Sequence, residues 1–436
     1  MKFNVIKYFE SHPMFKTGAN YSLWGSLSTA CTTLVGLVVM RWLTPDELGT
    51  WNTVSIFLAY APFFQLGIQS GLNTELPVLL GRNNEDGAKE RIANGYGYAI
   101  LVSCVLFVLG IVLSISLYLK TGITEALGAI TITIVAICSS FTLHFIARYR
   151  SAKAFDRLVT IYKIEIPIVL LSVYIIYRYH YWGILCYNVL THLVHVFLMY
   201  RSLPFKEVKP RIQKPVLFSM GKMGVAMMVL VQLKAAGQTL PRWIILTKTN
   251  REKLGLFTPA TAINSLINLI PGQFAQFFYP QMGYIYGKTG KAKDIWPYVK
   301  KLFFLLPVAV LPVSAIIYIL VPWILETFFP NFLASLWAMR IMCFTFLFTS
   351  ASGLSWVLNT LKAFKYSYFL ALSDFIGCFI FPYISTIVLP YDILTTVTIG
   401  LAINAVINYF LTIIILRHVL FKEQYNTTID TISKEQ

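Results

Sequence analysis

Lys234, Gln238 and Arg242 follow one another at four-residue spacing inside an apolar stretch, a periodicity that puts three polar side chains on one helical face. An ammonium and a guanidinium supply charge-assisted donors to an anion, and the amide between them can donate to and accept from hydroxyls. Lys163, Glu165, Lys222, Arg340 and Asp374 also stand inside apolar stretches, and Glu75 lies near the end of another. Ionised groups at such positions are costly and usually face a bundle interior or water. Lysine and arginine outnumber carboxylates among these eight residues, which suits an anionic ligand. Each has a plainer reading as well. Lys163, Lys222 and Arg242 are close enough to the ends of their stretches to snorkel to headgroups, and Arg340 can pair with Asp374.

Glu165 and Asp374 are the two carboxylates placed well inside stretches, so they are the candidates for coupling to a proton or another ion. Glu165 precedes Pro167, which weakens its helix, and Asp374 precedes Gly377. A static pair between Glu165 and Lys163 is the alternative. Uncharged stripes recur at four-residue spacing: Gln65, Gln69 and Asn73 in one stretch, and Asn264, Asn268, Gly272 and Gln276 in another, the second interrupted by Pro271. Either stripe lines a path for substrate or serves as amide glue between helices.

The elements that must hold these residues are helices in a bilayer. Apolar stretches fall at 19–40, 52–71, 95–118, 123–146, 159–177, 181–200, 217–246, 255–279, 301–325, 332–357, 367–389 and 394–416. About 20 helical residues cross a ~30 Å hydrocarbon core, and strands with free edges leave backbone groups unpaired in lipid. The expected fold is therefore all-α, an integral membrane protein of about twelve transmembrane helices. The chain is 57% hydrophobic and 13% charged, against about 25% charged in soluble domains. The first dozen residues read as an interfacial helix rather than a signal peptide.

Lysine and arginine set the orientation. With both termini cytoplasmic, about 25 fall in inside segments and about 6 outside, as the positive-inside rule requires. The net charge of +17 is then mostly topology and attraction to anionic bilayer lipids, and no nucleic-acid motif accompanies it. Cys31, Cys104, Cys138, Cys186, Cys343 and Cys378 all lie in apolar stretches without metal-ligand spacing. His192 and His195 share a face but lack further ligands. Nucleophile elbows and Gly-rich phosphate loops are missing, so the reading is a non-enzyme with no metal and no cofactor.

An internal repeat divides the chain. Leu48-Gly49-Thr50-Trp51 and Leu254-Gly255-Leu256-Phe257 lie 206 positions apart, each preceded by a Leu-Thr pair and a short charged segment. Six spans separate the copies, so they run the same way through the membrane. The expectation is two parallel-repeat six-helix bundles, residues 1–205 and 206–436, with a substrate site between the halves.

The stretch Gly18 to Gly81 carries a resemblance through Asn20-Tyr21, Arg41-Trp42-Leu43-Thr44-Pro45-Asp46-Glu47-Leu48-Gly49-Thr50-Trp51 and Gln65-Leu66-Gly67-Ile68-Gln69-Ser70-Gly71-Leu72-Asn73-Thr74-Glu75-Leu76-Pro77. It resembles bacterial Wzx-type polysaccharide-biosynthesis flippases of the multidrug/oligosaccharidyl-lipid/polysaccharide exporter superfamily; the C-terminal half resembles them in layout only. The resemblance implies translocation of an undecaprenyl-pyrophosphate-linked oligosaccharide from the cytoplasmic to the periplasmic leaflet of the bacterial inner membrane. The route would be alternating access through a cationic central cavity, for surface polysaccharide of O-antigen or capsule type, beside other polysaccharide-assembly membrane proteins. A cation-coupled drug or metabolite antiporter of the same superfamily is the alternative.

Overall fold

A computed structural model describes residues 13–263, 282, 285–286, 288–361 and 363–422. The expected interfacial helix over the first dozen residues, and the eighth stretch beyond residue 263 with its Pro271 break, lie outside the described residues.

The described residues form helices and no strands. The order is α1 (Pro13–Val38), α2 (Pro45–Ser55), a 3-10 stretch (Ile56–Gln65), α3 (Ile68–Gly81), α4 (Glu85–Lys120), α5 (Ile123–Ser151) and α6 (Phe155–Arg201). There follow α7 (Lys214–Gly237), α8 (Leu240–Lys248), α9 (Arg251–Leu256), α10 (Trp296–Phe328), α11 (Leu336–Thr349), α12 (Trp356–Thr360), α13 (Phe364–Val388) and α14 (Ile393–Leu420). Among the described residues nine helical segments are long and apolar enough to cross a membrane. One of them, α6, is two spans: His180 (φ 51°, ψ −122°) breaks the helix between the expected stretches 159–177 and 181–200. The protein is a multi-pass membrane protein of all-α fold.

Burial follows lipid rather than water. Leu171 and Phe218 are 76% exposed, as on a lipid-facing surface, while Leu72, Leu76 and Ile92 are fully buried between helices.

The second expected span is not one helix. Pro62 lacks a backbone donor inside the 3-10 stretch, and Leu66 (φ 45°) and Gly67 (φ 77°) turn the chain before α3. A Cβ at Gly67 would lie 2.4 Å from the Val225 nitrogen, so α7 passes too close for any other residue. Gln65 therefore does not share a continuous helical face with Gln69 and Asn73.

The chain forms two compact units: residues up to Leu43 with Thr50–Gln232, and Thr44–Gly49 with the residues from Leu233 onward. The boundary falls inside α7 rather than at 205/206, because the segment after α6 packs onto the first unit. Arg211 N donates to Ala93 O at 2.9 Å, Gln213 N donates to Asn94 Oδ1 at 2.6 Å, and Met220 joins the core of Leu72, Leu76 and Ile92.

Residues 44–49 join the second unit through the repeat itself. A Cβ at Gly49 would come within 1.8 Å of Arg251 O, and one at Gly255 within 1.7 Å of Pro45 O. Pro45 and Arg251 are separated by the same 206 positions as Gly49 and Gly255, so the contact is reciprocal, as about a two-fold axis. The caps match too. Thr44 Oγ1 accepts from Glu47 N at 3.2 Å while Thr44 N donates to Glu47 Oε2 at 2.8 Å, a capping box on α2. Asn250, 206 positions later, caps α9 by accepting from Lys253 N at 2.9 Å.

Topology gives a direct expectation. In a background lacking the six native cysteines, single cysteines at Asn83 and Lys209 stay unlabelled by an impermeant thiol reagent in intact cells, and one at Thr121 reacts. All three positions are exposed, and Asn83 and Thr121 flank opposite ends of α4. Equal labelling at all three would contradict the orientation.

Candidate functional site

The cationic stripe belongs to the second unit and bends. Lys234 lies in the last turn of α7, Gln238 follows Gly237, and Arg242 sits in α8 behind Pro241. Proline cannot donate to the carbonyl four residues back, so the chain tightens at the join, where Thr239 N donates to Ala236 O at 3.0 Å. The three residues are close in sequence and divided between two helices, not borne on one uninterrupted face. Lys234 and Gln238 are exposed and Arg242 is partly buried. Among the described residues none of the three side chains has a hydrogen-bonding partner.

Asp374 of α13 is the carboxylate whose field reaches Lys234. It accepts from Asn404 Nδ2 at 3.0 Å and from Asn408 Nδ2 at 3.5 Å, both on α14, and Asn408 Nδ2 donates to Asn404 Oδ1 at 2.7 Å. The buried Asn408 Oδ1 has no partner among the described residues. A carboxylate and two amides from two helices thus meet, within the field of the Lys234 ammonium on a third.

Arg340 does not pair with Asp374. Its guanidinium lies over Tyr318 at 4.9 Å and Trp337 at 5.3 Å, and its buried Nε is unpartnered among the described residues. Aromatic faces stabilise the cation without neutralising it, which leaves its charge available to an anion.

The first unit uses its polar residues differently. Gln65 is 4% exposed and donates to Ser140 Oγ at 2.6 Å. Gln69, 5% exposed, donates to Gly95 O at 2.9 Å, and its Oε1 meets His144 Nδ1 at 3.1 Å. Both are ties between helices in this arrangement rather than lining of a path. Asn73 alone of the stripe is exposed. Glu75 pairs with Arg91 at 2.6 Å. Lys222 is exposed, and Lys163 lies over the Trp24 ring at 4.9 Å, not against Glu165. The partner of Glu165 is His195. Asn264, Asn268 and Gln276 lie outside the described residues.

Sequence reasoning missed Arg148. It is 1% exposed and donates to Pro204 O at 3.1 and 2.7 Å and to Phe205 O, fixing the segment after α6 to α5. It stands among basic residues at a helix end, and nothing in the sequence separates this buried clamp from its surface neighbours.

Residues 38–338 match a family described as polysaccharide biosynthesis protein. No curated protein matches the chain. Among solved structures, an inward-facing multidrug resistance MATE family transporter of the MOP superfamily superposes with TM-score 0.69 at 13% identity, covering 90% of this chain and 94% of that one. A MATE structure in complex with MaL6 gives 0.62 at 16% identity, covering 93% and 96%. An outward-facing MATE transporter gives 0.57 at 14% identity, covering 95% and 97%.

Proposed function

We propose, from the premise that the chain belongs to the polysaccharide biosynthesis protein family, that it flips an undecaprenyl-pyrophosphate-linked oligosaccharide across the bacterial inner membrane by alternating access. The supporting observation is that Lys234, Arg242 and Arg340 form no ion pair among the described residues, although they stand in membrane-spanning segments. A cation held in a membrane-spanning segment without an ion-pair partner costs free energy unless water or a ligand supplies the counter-charge. A diphosphate does so with multiple acceptor oxygens, and guanidinium donors match its geometry. Gln238 is an open amide suited to sugar hydroxyls. Other polysaccharide-assembly membrane proteins would supply and consume the cargo.

One observation favours a second reading, a cation-coupled drug or metabolite antiporter. Asp374 with Asn404 and Asn408 presents oxygen ligands beside Lys234, a place where a proton or monovalent cation could exchange. The two readings differ in what stabilises the protein. A ligand that binds only the native state raises stability by RT ln(1 + [L]/Kd). Undecaprenyl pyrophosphate is expected to raise the melting temperature of purified protein, whereas undecaprenol, lacking the diphosphate, is not. Equal shifts from both lipids would remove the diphosphate from the account.

A further inference from the structure

We infer that Glu165 and His195 form a proton-binding dyad inside the first unit, joining the two arms of α6. The inference deepens the transporter reading, and only its last measurement rests on that reading.

The geometry is that of a hairpin. His180 interrupts α6, and its Nδ1 meets Trp42 O at 2.7 Å. The arms touch closely beyond it, since a Cβ at Gly183 would lie 2.4 Å from Ile175 O. Glu165 and His195 stand equally far along the two arms, ~22 Å from the turn at a rise of ~1.5 Å per residue, which places them within the hydrocarbon thickness. There His195 Nδ1 meets Glu165 Oε1, and Glu165 is 8% exposed.

The identity of the partner decides the chemistry. A lysine beside Glu165 would make a permanent ion pair. Lys163, two residues away, lies over Trp24 instead. Imidazole is the side chain that changes charge between about pH 5 and 8. Loaded, the dyad is imidazolium and carboxylate with no net charge. After one proton leaves to water, it is neutral imidazole and carboxylate, a single uncompensated negative charge in lipid. That state is unfavourable until water or a cation reaches it, so proton content and access to the site are linked.

Other titratable and charged groups face the dyad. His192, on the same arm as His195, interacts with both members and is anchored through Nδ1 to Asn188 O at 2.8 Å. Tyr162 interacts with Glu165, and its ring lies 6.0 Å from that of Tyr21 of α1. Arg150 of α5 reaches Tyr21 OH at 3.4 Å. These groups make a titratable chain along the hairpin rather than an isolated pair, the kind of arrangement that relays protons in membranes.

The test uses full-length protein in lipid nanodiscs without cargo, followed by infrared difference spectra across a pH titration. The wild type is expected to show carboxylate and imidazole bands that change together. Glu165→Gln and His195→Gln should each remove both changes, His192→Gln should keep them, and the exchanged pair E165H/H195E should restore them. An unchanged carboxylate band in H195Q, or an unchanged imidazole band in E165Q, overturns the dyad. In proteoliposomes carrying a pH gradient, the ratio of cargo flipping with and without the gradient should fall to unity in E165Q and H195Q. A wild-type ratio in H195Q also overturns it. Coupled bands in protein that flips no lipid-linked sugar would overturn the proposed cargo and leave the dyad standing.

Discussion

The Lys234→Gln/Arg242→Gln double variant is expected to reach the membrane in normal amount and to flip no measurable lipid-linked sugar. Glutamine keeps hydrogen-bonding capacity on a shorter stem and removes both positive charges. Each charge-assisted contact to a poorly solvated phosphate is worth about 1.5–3 kcal/mol, so each single variant should weaken binding roughly ten- to hundredfold. Neither side chain hydrogen-bonds the protein among the described residues, and Asp374 keeps the amides of Asn404 and Asn408, so the loss falls on function rather than folding. Arg242→Lys should recover only part of it, because an ammonium cannot make the paired contacts of a guanidinium. Lys234→Gln also removes the cation beside Asp374, so its effect should exceed that of Arg242→Gln when a pH gradient drives transport. Normal flipping by the double variant would remove both residues from the site.

The second large effect comes from the repeat. Gly49→Leu or Gly255→Leu puts side-chain atoms where a backbone carbonyl already sits, at 1.8 and 1.7 Å from an ideal Cβ. Backbone cannot swing aside as a flexible side chain can, so α2 and α9 must part. Overpacking of this kind costs about 1–3 kcal/mol or more. Because the contact is reciprocal, the two substitutions should be equally harmful. The Asp46–Arg251 ion pair at the same contact spans 2.8 Å, but its side chains are 52% and 47% exposed. Exposed pairs contribute about 0–1 kcal/mol, so Asp46→Asn should be nearly silent beside either glycine variant. Gly36→Leu is the control, since nothing lies within 4 Å of a Cβ there. Thermal melting in detergent checks the order; a wild-type melting temperature for Gly255→Leu would show that the close contact is dispensable.

Much of the fold was legible because bilayer thickness is written into stretch length. The long apolar stretches emerged as α1, α4, α5, both arms of α6, α7 with α8, and α10 onward. The repeat was legible from Gly49 and Gly255, and the structure gives its reason: the two glycines pack against each other. The break at Leu66-Gly67 was not legible, because it depends on how closely Val225 passes, and a lone glycine in an apolar run does not announce a neighbour so far along the chain. The charges were readable as to type and depth but not as to partner. Arg340 and Asp374 looked like a pair by proximity of their spans, yet Tyr318 and Trp337 take the guanidinium while Asn404 and Asn408 take the carboxylate. Lys163 is the cation nearest Glu165 in sequence and the alternative partner for it, but neighbours two residues apart point to different sides of a helix; the hairpin brings His195 to it instead. Gln65 and Gln69 fit a lined path by spacing alone, and only burial shows that they tie helices together.

The most direct measurement is flipping itself. Purified protein is reconstituted into vesicles holding one defined undecaprenyl-pyrophosphate-linked sugar, and a membrane-impermeant glycosidase or lectin reads the fraction exposed in each leaflet over time. The account predicts that the protein speeds exchange between leaflets, that undecaprenol without the diphosphate competes poorly, and that the Lys234→Gln/Arg242→Gln variant returns the rate to that of protein-free vesicles. Vesicles in which the sugar stays in its original leaflet, while the same protein exchanges a cationic drug for protons or sodium, would contradict it.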